Sequence, residues 1–155
     1  MISFGSYLSD YLNYEGISQS DFAFRLGITQ KHLNEIINGK TNISSDLMYS
    51  IAALTGIDIN FIASIENKKK FEENLIKQFG TEEKINDYIN LYKPKEIKKR
   101  NWIKFKDEKN VFEKAYDILQ YLKYTSFEVV SKSREKILFK ENGGSIELLS
   151  LWLAR

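Results

Sequence analysis

Four glycines, Gly16, Gly27, Gly39 and Gly56, each close a short stretch in which apolar side chains recur at three- and four-residue steps. A glycine in that place can take the left-handed conformation that stops a helix. The first third of the chain is therefore expected to fold as short helices joined by tight corners. Phe4, Tyr7, Leu8, Tyr11 and Leu12 make the apolar face of a first helix that ends before Gly16. Ser18 is placed to accept an exposed backbone N–H at the start of a second, with Asp21 near the positive end of its dipole and Phe22, Ala23 and Leu26 facing inward. Gly27-Ile28-Thr29 forms the corner. Thr29 then caps a third helix whose inner residues are Leu33, Ile36 and Ile37, ended by Asn38-Gly39.

Ser44 or Ser45 caps a fourth helix with Leu47, Ile51 and Leu54 inside. A fifth begins near Asp58 with Phe61, Ile62 and Ile65, and the same spacing continues through Phe71, Leu75, Ile76 and Phe79 to Gly80 across Lys68-Lys69-Lys70. This helix is expected to run on as a connector. Thr81-Glu82-Glu83 reads as another start, followed by Ile85, Tyr88, Ile89, Leu91 and Tyr92. Pro94, the only proline, suits a first helical turn because its missing N–H costs nothing there. Asp107 is the expected cap of a longer helix using Val111, Phe112, Ala115, Ile118, Leu119 and Leu122. Phe127-Val129-Val130 and Ile137-Leu138-Phe139 fit either helix or strand, and Gly143-Gly144 precedes a final helix from Ile146 to about Ala154. The expected fold class is all-α.

The 155 residues are 43% hydrophobic and 28% charged, enough apolar content for one domain or two small ones. Residues 1–66 hold three Lys or Arg against seven Asp or Glu, a charge of −4, whereas residues 67–155 carry +6. No cysteine is present, which excludes disulfides, thiolate metal sites and a cysteine nucleophile. The N-terminus lacks a basic flank followed by an apolar block, and no apolar run reaches the length of about 18 residues that crosses a bilayer. A soluble, cytoplasmic chain with no membrane partner is expected. Phosphate loops (G-x-x-x-x-G-K), nucleophile elbows (G-x-S-x-G) and zinc helices (H-E-x-x-H) are all absent, so neither an enzymatic activity nor a cofactor is expected.

A helix, a short glycine-containing turn and a second helix with outward polar residues let that second helix enter the major groove of DNA while the first braces on the backbone. The outward residues of the third helix include Gln30, Lys31, His32, Asn34 and Glu35. Gln bonds adenine through two contacts, Lys reaches guanine or a phosphate, and Asn serves either role. The plain alternative for Gln30 and Lys31 is a solvated helix face; His32 is either a phosphate or base neighbour or simply exposed. Glu35 either repels phosphate or accepts from cytosine N4.

Residues 17–62, from Ile17-Ser18-Gln19-Ser20-Asp21-Phe22-Ala23 through Asn38-Gly39-Lys40, resemble the Xre family of phage-repressor-like helix-turn-helix domains. Thr29-Gln30-Lys31-His32-Leu33-Asn34-Glu35-Ile36-Ile37-Asn38-Gly39-Lys40 is most similar to HigA-type antitoxin repressors. The resemblance implies a five-helix bundle. It also implies that Gln19 holds a phosphate, that Gln30 and Lys31 read bases, and that Asn34 and Lys40 contact the backbone. Thr29, His32 and Asn38 complete the expected DNA-binding set.

A second resemblance lies in Leu91-Tyr92-Lys93-Pro94-Lys95-Glu96-Ile97-Lys98-Lys99-Arg100-Asn101-Trp102-Ile103, Ser131-Lys132-Ser133 and Leu149-Ser150-Leu151-Trp152-Leu153-Ala154-Arg155. These are similar to the region between the Xre domain and the zinc peptidase of ImmA/IrrE-type fusions, whose His-Glu-x-x-His motif this chain lacks. The stretch Lys93–Lys109 mixes eight Lys or Arg with Trp102 and Phe105. It reads either as a grip on nucleic-acid backbone or, more simply, as core anchors Ile97, Trp102, Ile103 and Phe105 with wetted lysines between them.

The expected organisation is a DNA-binding domain over residues 1–66, a helical connector over 67–80 and a helical domain over 81–155 serving dimerisation or partner binding. The expected function is sequence-specific binding of double-stranded DNA as an autoregulatory, antitoxin-like repressor, acting as a homodimer. The alternatives are a protein-interaction module that holds a toxin or other partner, and the regulatory part of a split or truncated zinc peptidase.

Overall fold

A computed structural model describes residues 3–134, and the elements among them are α-helices. The chain divides into two compact units, Met1–Asn74 and Leu75–Arg155.

The first unit is built from α1 (Phe4–Glu15), α2 (Gln19–Leu26), α3 (Gln30–Ile37), α4 (Ser45–Thr55) and most of α5 (Ile59–Phe79). Their ends are where the cap residues put them. The Ser18 hydroxyl accepts from Asp21 N, Thr29 from His32 N and Ser44 from Leu47 N, so each helix start satisfies one of its orphan donors. Asp58 opens α5, its carboxylate accepting from Asn60 N at 2.6 Å. From there the helix continues without interruption past the three lysines, as the apolar spacing predicts.

One core joins the five helices. Phe4, Leu8, Leu12, Phe22, Ala23, Leu33, Ile36, Ile43, Leu47, Met48, Ile51 and Ile62 are all buried, with Tyr11, Leu26, Ile37 and Ile65 packed around them. α1 packs on α3 and α2 on both α3 and α4. Gly5 makes the first of these contacts close: a Cβ there would collide with the backbone carbonyl oxygens of Ile36 and Ile37. Three expected core residues lie elsewhere, Tyr7 at 44% exposure among them. Leu54 is 45% exposed and Phe61 41% exposed. Met48 and Ala52 turn inward from α4 in place of Leu54, and Phe61 rests edge-on against the Tyr7 ring at 5.1 Å on the outside of the bundle.

The second unit contains α6 (Glu82–Asn90), α7 (Pro94–Lys99), α8 (Val111–Leu122) and α9 (Phe127–Arg134). Thr81 caps α6 and Pro94 is the first residue of α7. α6 packs on α8, and Phe79, Tyr88, Tyr92 and Phe127 form a cluster of rings with centroids 4.9–6.2 Å apart. Ile97 and Ile103 are buried, whereas Trp102 and Phe105 are half-buried, with the Arg100 guanidinium 5.3 Å over the Trp102 ring.

The cap of α8 is Asn110 and not Asp107. The Asn110 amide oxygen accepts from Phe112 N and Glu113 N, while Asp107 folds the preceding turn by accepting from Lys109 N and Asn110 N. Leu91 is half-exposed, because α6 ends at Asn90 and the chain turns there. The Phe127-Val129-Val130 segment is helical. Ile137-Leu138-Phe139, Gly143-Gly144, the helix expected at Ile146–Ala154 and the Leu149–Arg155 segment lie outside the described residues.

Candidate nucleic-acid interface

Polar side chains of α3 are exposed. Gly27 ends α2 at φ +72°, and its N–H and that of Ile28 return to the carbonyls of Phe24 and Ala23 at 3.1 and 3.0 Å. That closure reverses the chain in three residues, and Thr29 restarts it as helix: its hydroxyl accepts from His32 N at 3.1 Å. Leu33 and Ile36 are buried, so α3 is pinned to the bundle by one stripe and its opposite stripe faces solvent.

Thr29, Gln30, Lys31, Asn34, Asn38 and Lys40 are all exposed, so the structure gathers these sequence-predicted residues on and around a single short helix. His32 and Gln19 are partly buried, and so is Glu35. The Thr29 oxygen is already occupied as a cap acceptor, which leaves its hydroxyl proton for an outside acceptor. Asn38 Nδ2 donates to both the Asn34 carbonyl, at 2.8 Å, and Asn34 Oδ1, at 3.0 Å. The pair is thereby held in place, and the Asn34 amide keeps its N–H donors for an outside partner.

Gln19 is the first residue of α2, where backbone N–H groups are unsatisfied within the helix. Lys40 follows α3 by three residues, its N–H bonded to the Glu35 carbonyl at 2.8 Å. Two further polar residues stand exposed near this set without having been singled out from sequence. They are Arg25, whose Nε is 2.9 Å from Asp21 Oδ2, and Asn42 in the α3–α4 loop. The signal for Asn42 was the polar run Lys40-Thr41-Asn42 directly after Gly39.

An exposed helix of this kind, led by Gln and Lys and set across a tight turn from a bracing helix, has the dimensions and donor groups for a major groove. Residues 8–62 match the helix-turn-helix family model (HTH_3). The matched span takes in α2, α3 and every residue of the candidate interface. Comparison with curated proteins and with solved structures returned no match.

Among the described residues, no group of three or more His, Asp or Glu side chains gathers to hold a metal ion, and no helix is long and apolar enough to cross a membrane.

Proposed function

We propose that this chain is a sequence-specific, double-stranded DNA-binding transcriptional regulator whose α3 lies in the major groove. Gln30 and Lys31 meet base edges; Gln19, Thr29, Asn34, Asn38 and Lys40 meet the sugar-phosphate backbone, with His32 beside them. The observation that carries this reading is the two-sidedness of α3 inside a helix-turn-helix domain: Leu33 and Ile36 are sealed in the core, while Gln30, Lys31 and Asn34 face solvent. The similarity of residues 29–40 to HigA-type antitoxin repressors supports a repressor that occupies a promoter, its own included, from the cytoplasm.

A charge of −4 over residues 1–66 weakens the sequence-independent attraction to phosphate, which favours binding as a homodimer on two half-sites about one helical turn apart. Selection of bound duplexes from a random pool tests both points. The expected product is a site of two related halves spaced at about 10 base pairs. Failure to enrich any duplex would sink the reading and leave the partner-holding alternative, in which the basic half binds a toxin or other protein.

A further inference from the structure

α5 carries two charged side chains that the bundle buries almost completely, Glu66 at 1% and Lys69 at 3% exposure. Burying a charge is unfavourable unless it is paired or hydrogen-bonded, so residues in such positions need a reason. Both reach the same place, the loop between α3 and α4. Lys69 Nζ donates to the Thr41 carbonyl at 3.3 Å, and Glu66 Oε2 accepts from Ile43 N at 3.4 Å. Lys69 also has the Glu73 carboxylate at 3.8 Å.

Three residues apart, Glu66 and Lys69 share one helix face. One satisfies a donor and the other an acceptor of the loop backbone, from positions 23 and 28 residues further along the chain. Thr41 directly follows exposed Lys40, and Ile43 is a core residue. The loop is therefore tied at two points, Thr41 and Ile43, just after the lysine proposed to meet phosphate. Glu66 and Lys69 also lie beyond the family match, which ends at residue 62. The clamp belongs to the part of α5 that continues toward the second unit.

We infer that Glu66 and Lys69 are positioning residues that hold the α3–α4 loop in the shape in which Lys40 contacts the DNA backbone. The inference rests on the DNA-binding reading. The loop has no helix or strand of its own to fix it, and Lys40 delivers charge to a defined phosphate only if the backbone that carries it is ordered before binding.

The test is a double-mutant cycle on the full chain, read at temperatures where circular dichroism reports every variant folded. The duplexes are the selected site and a scrambled one, over a range of salt concentrations. Lys69→Met is expected to weaken both duplexes by the same factor and to lower the salt slope by about 1, with the ratio between duplexes unchanged. In a Lys40→Ala background the same change is expected to have no further effect, because the two act through one contact. Glu66→Met supplies a second, independent cycle with the same expected pattern, and Glu66→Gln, which keeps an acceptor, is expected to stay close to wild type.

Salt slopes unchanged in a folded Lys69→Met, or effects that simply add to those of Lys40→Ala, would overturn the inference and leave the pair as ordinary structural ties. Amide exchange in the wild-type chain needs no variant: Ile43 N–H is expected to exchange as slowly as the core of α5, and exchange at the rate of an open loop would overturn the clamp. A wild-type chain that binds no duplex would instead fail the DNA-binding reading itself.

Discussion

Lys40 and Gly5 lie in the same domain and bear on the candidate interface in different ways. Lys40 is exposed and follows α3. Under the proposed function Lys40→Ala weakens binding to all duplexes about equally and lowers the salt slope by about 1, as filter-binding or anisotropy titrations would read it. Gly5 is buried, and a Cβ at that position meets the backbone of Ile36 and Ile37 at the end of α3. Neither carbonyl can yield without moving a helix. Gly5→Ala is expected to cost about 1–3 kcal/mol in a urea titration, the usual range for overpacking a well-filled site. Lys40 was singled out through the family resemblance, and the structure leaves it exposed. The constraint on Gly5 was not legible in the sequence, because periodicity tells which residues share a face and not how near a neighbouring backbone comes. Glu66 and Lys69 were hidden for a related reason: charged residues within a lysine-rich stretch read as solvated, and their burial depends on a loop far away in sequence.

At the scale of elements, helix starts and stops were the most readable feature. Ser18, Thr29, Ser44 and Thr81 each accept the N–H expected of them, since cap chemistry depends on residues at fixed short range. The start of α8 was misread because Asp107 and Asn110 are both good caps three residues apart, and both are used, one for the turn and one for the helix. Asn110→Ala is expected to cost about 1 kcal/mol of stability in thermal or urea unfolding, with Asp107→Ala costing less. The outward side of Tyr7, Leu54, Phe61 and Leu91 was not legible either, since apolar spacing does not say whether a neighbour covers every position of a stripe. Gly27 sits between the two motif helices at φ +72° with open space where a Cβ would stand. Gly27→Ala is therefore expected to be strained and not crowded, at about 1–2 kcal/mol, and to lower stability together with DNA affinity.

The whole molecule joins an acidic N-terminal part, −4 over residues 1–66, to a basic remainder, +6 over residues 67–155. Under the proposed function, specificity has to come from a few well-placed side chains more than from overall charge. With a homodimer on two half-sites, sedimentation of the complex is expected to give two chains per duplex; one chain per duplex would count against dimeric recognition. The central claim is narrower, that the exposed side of α3 reads bases. It is tested most directly by running the random-pool selection in parallel on wild type and Gln30→Ala. The account predicts that both enrich one site, with discrimination relaxed by about 1–3 kcal/mol at one or two base pairs in each half for the variant. Identical preferences and identical affinity in the two selections would contradict it.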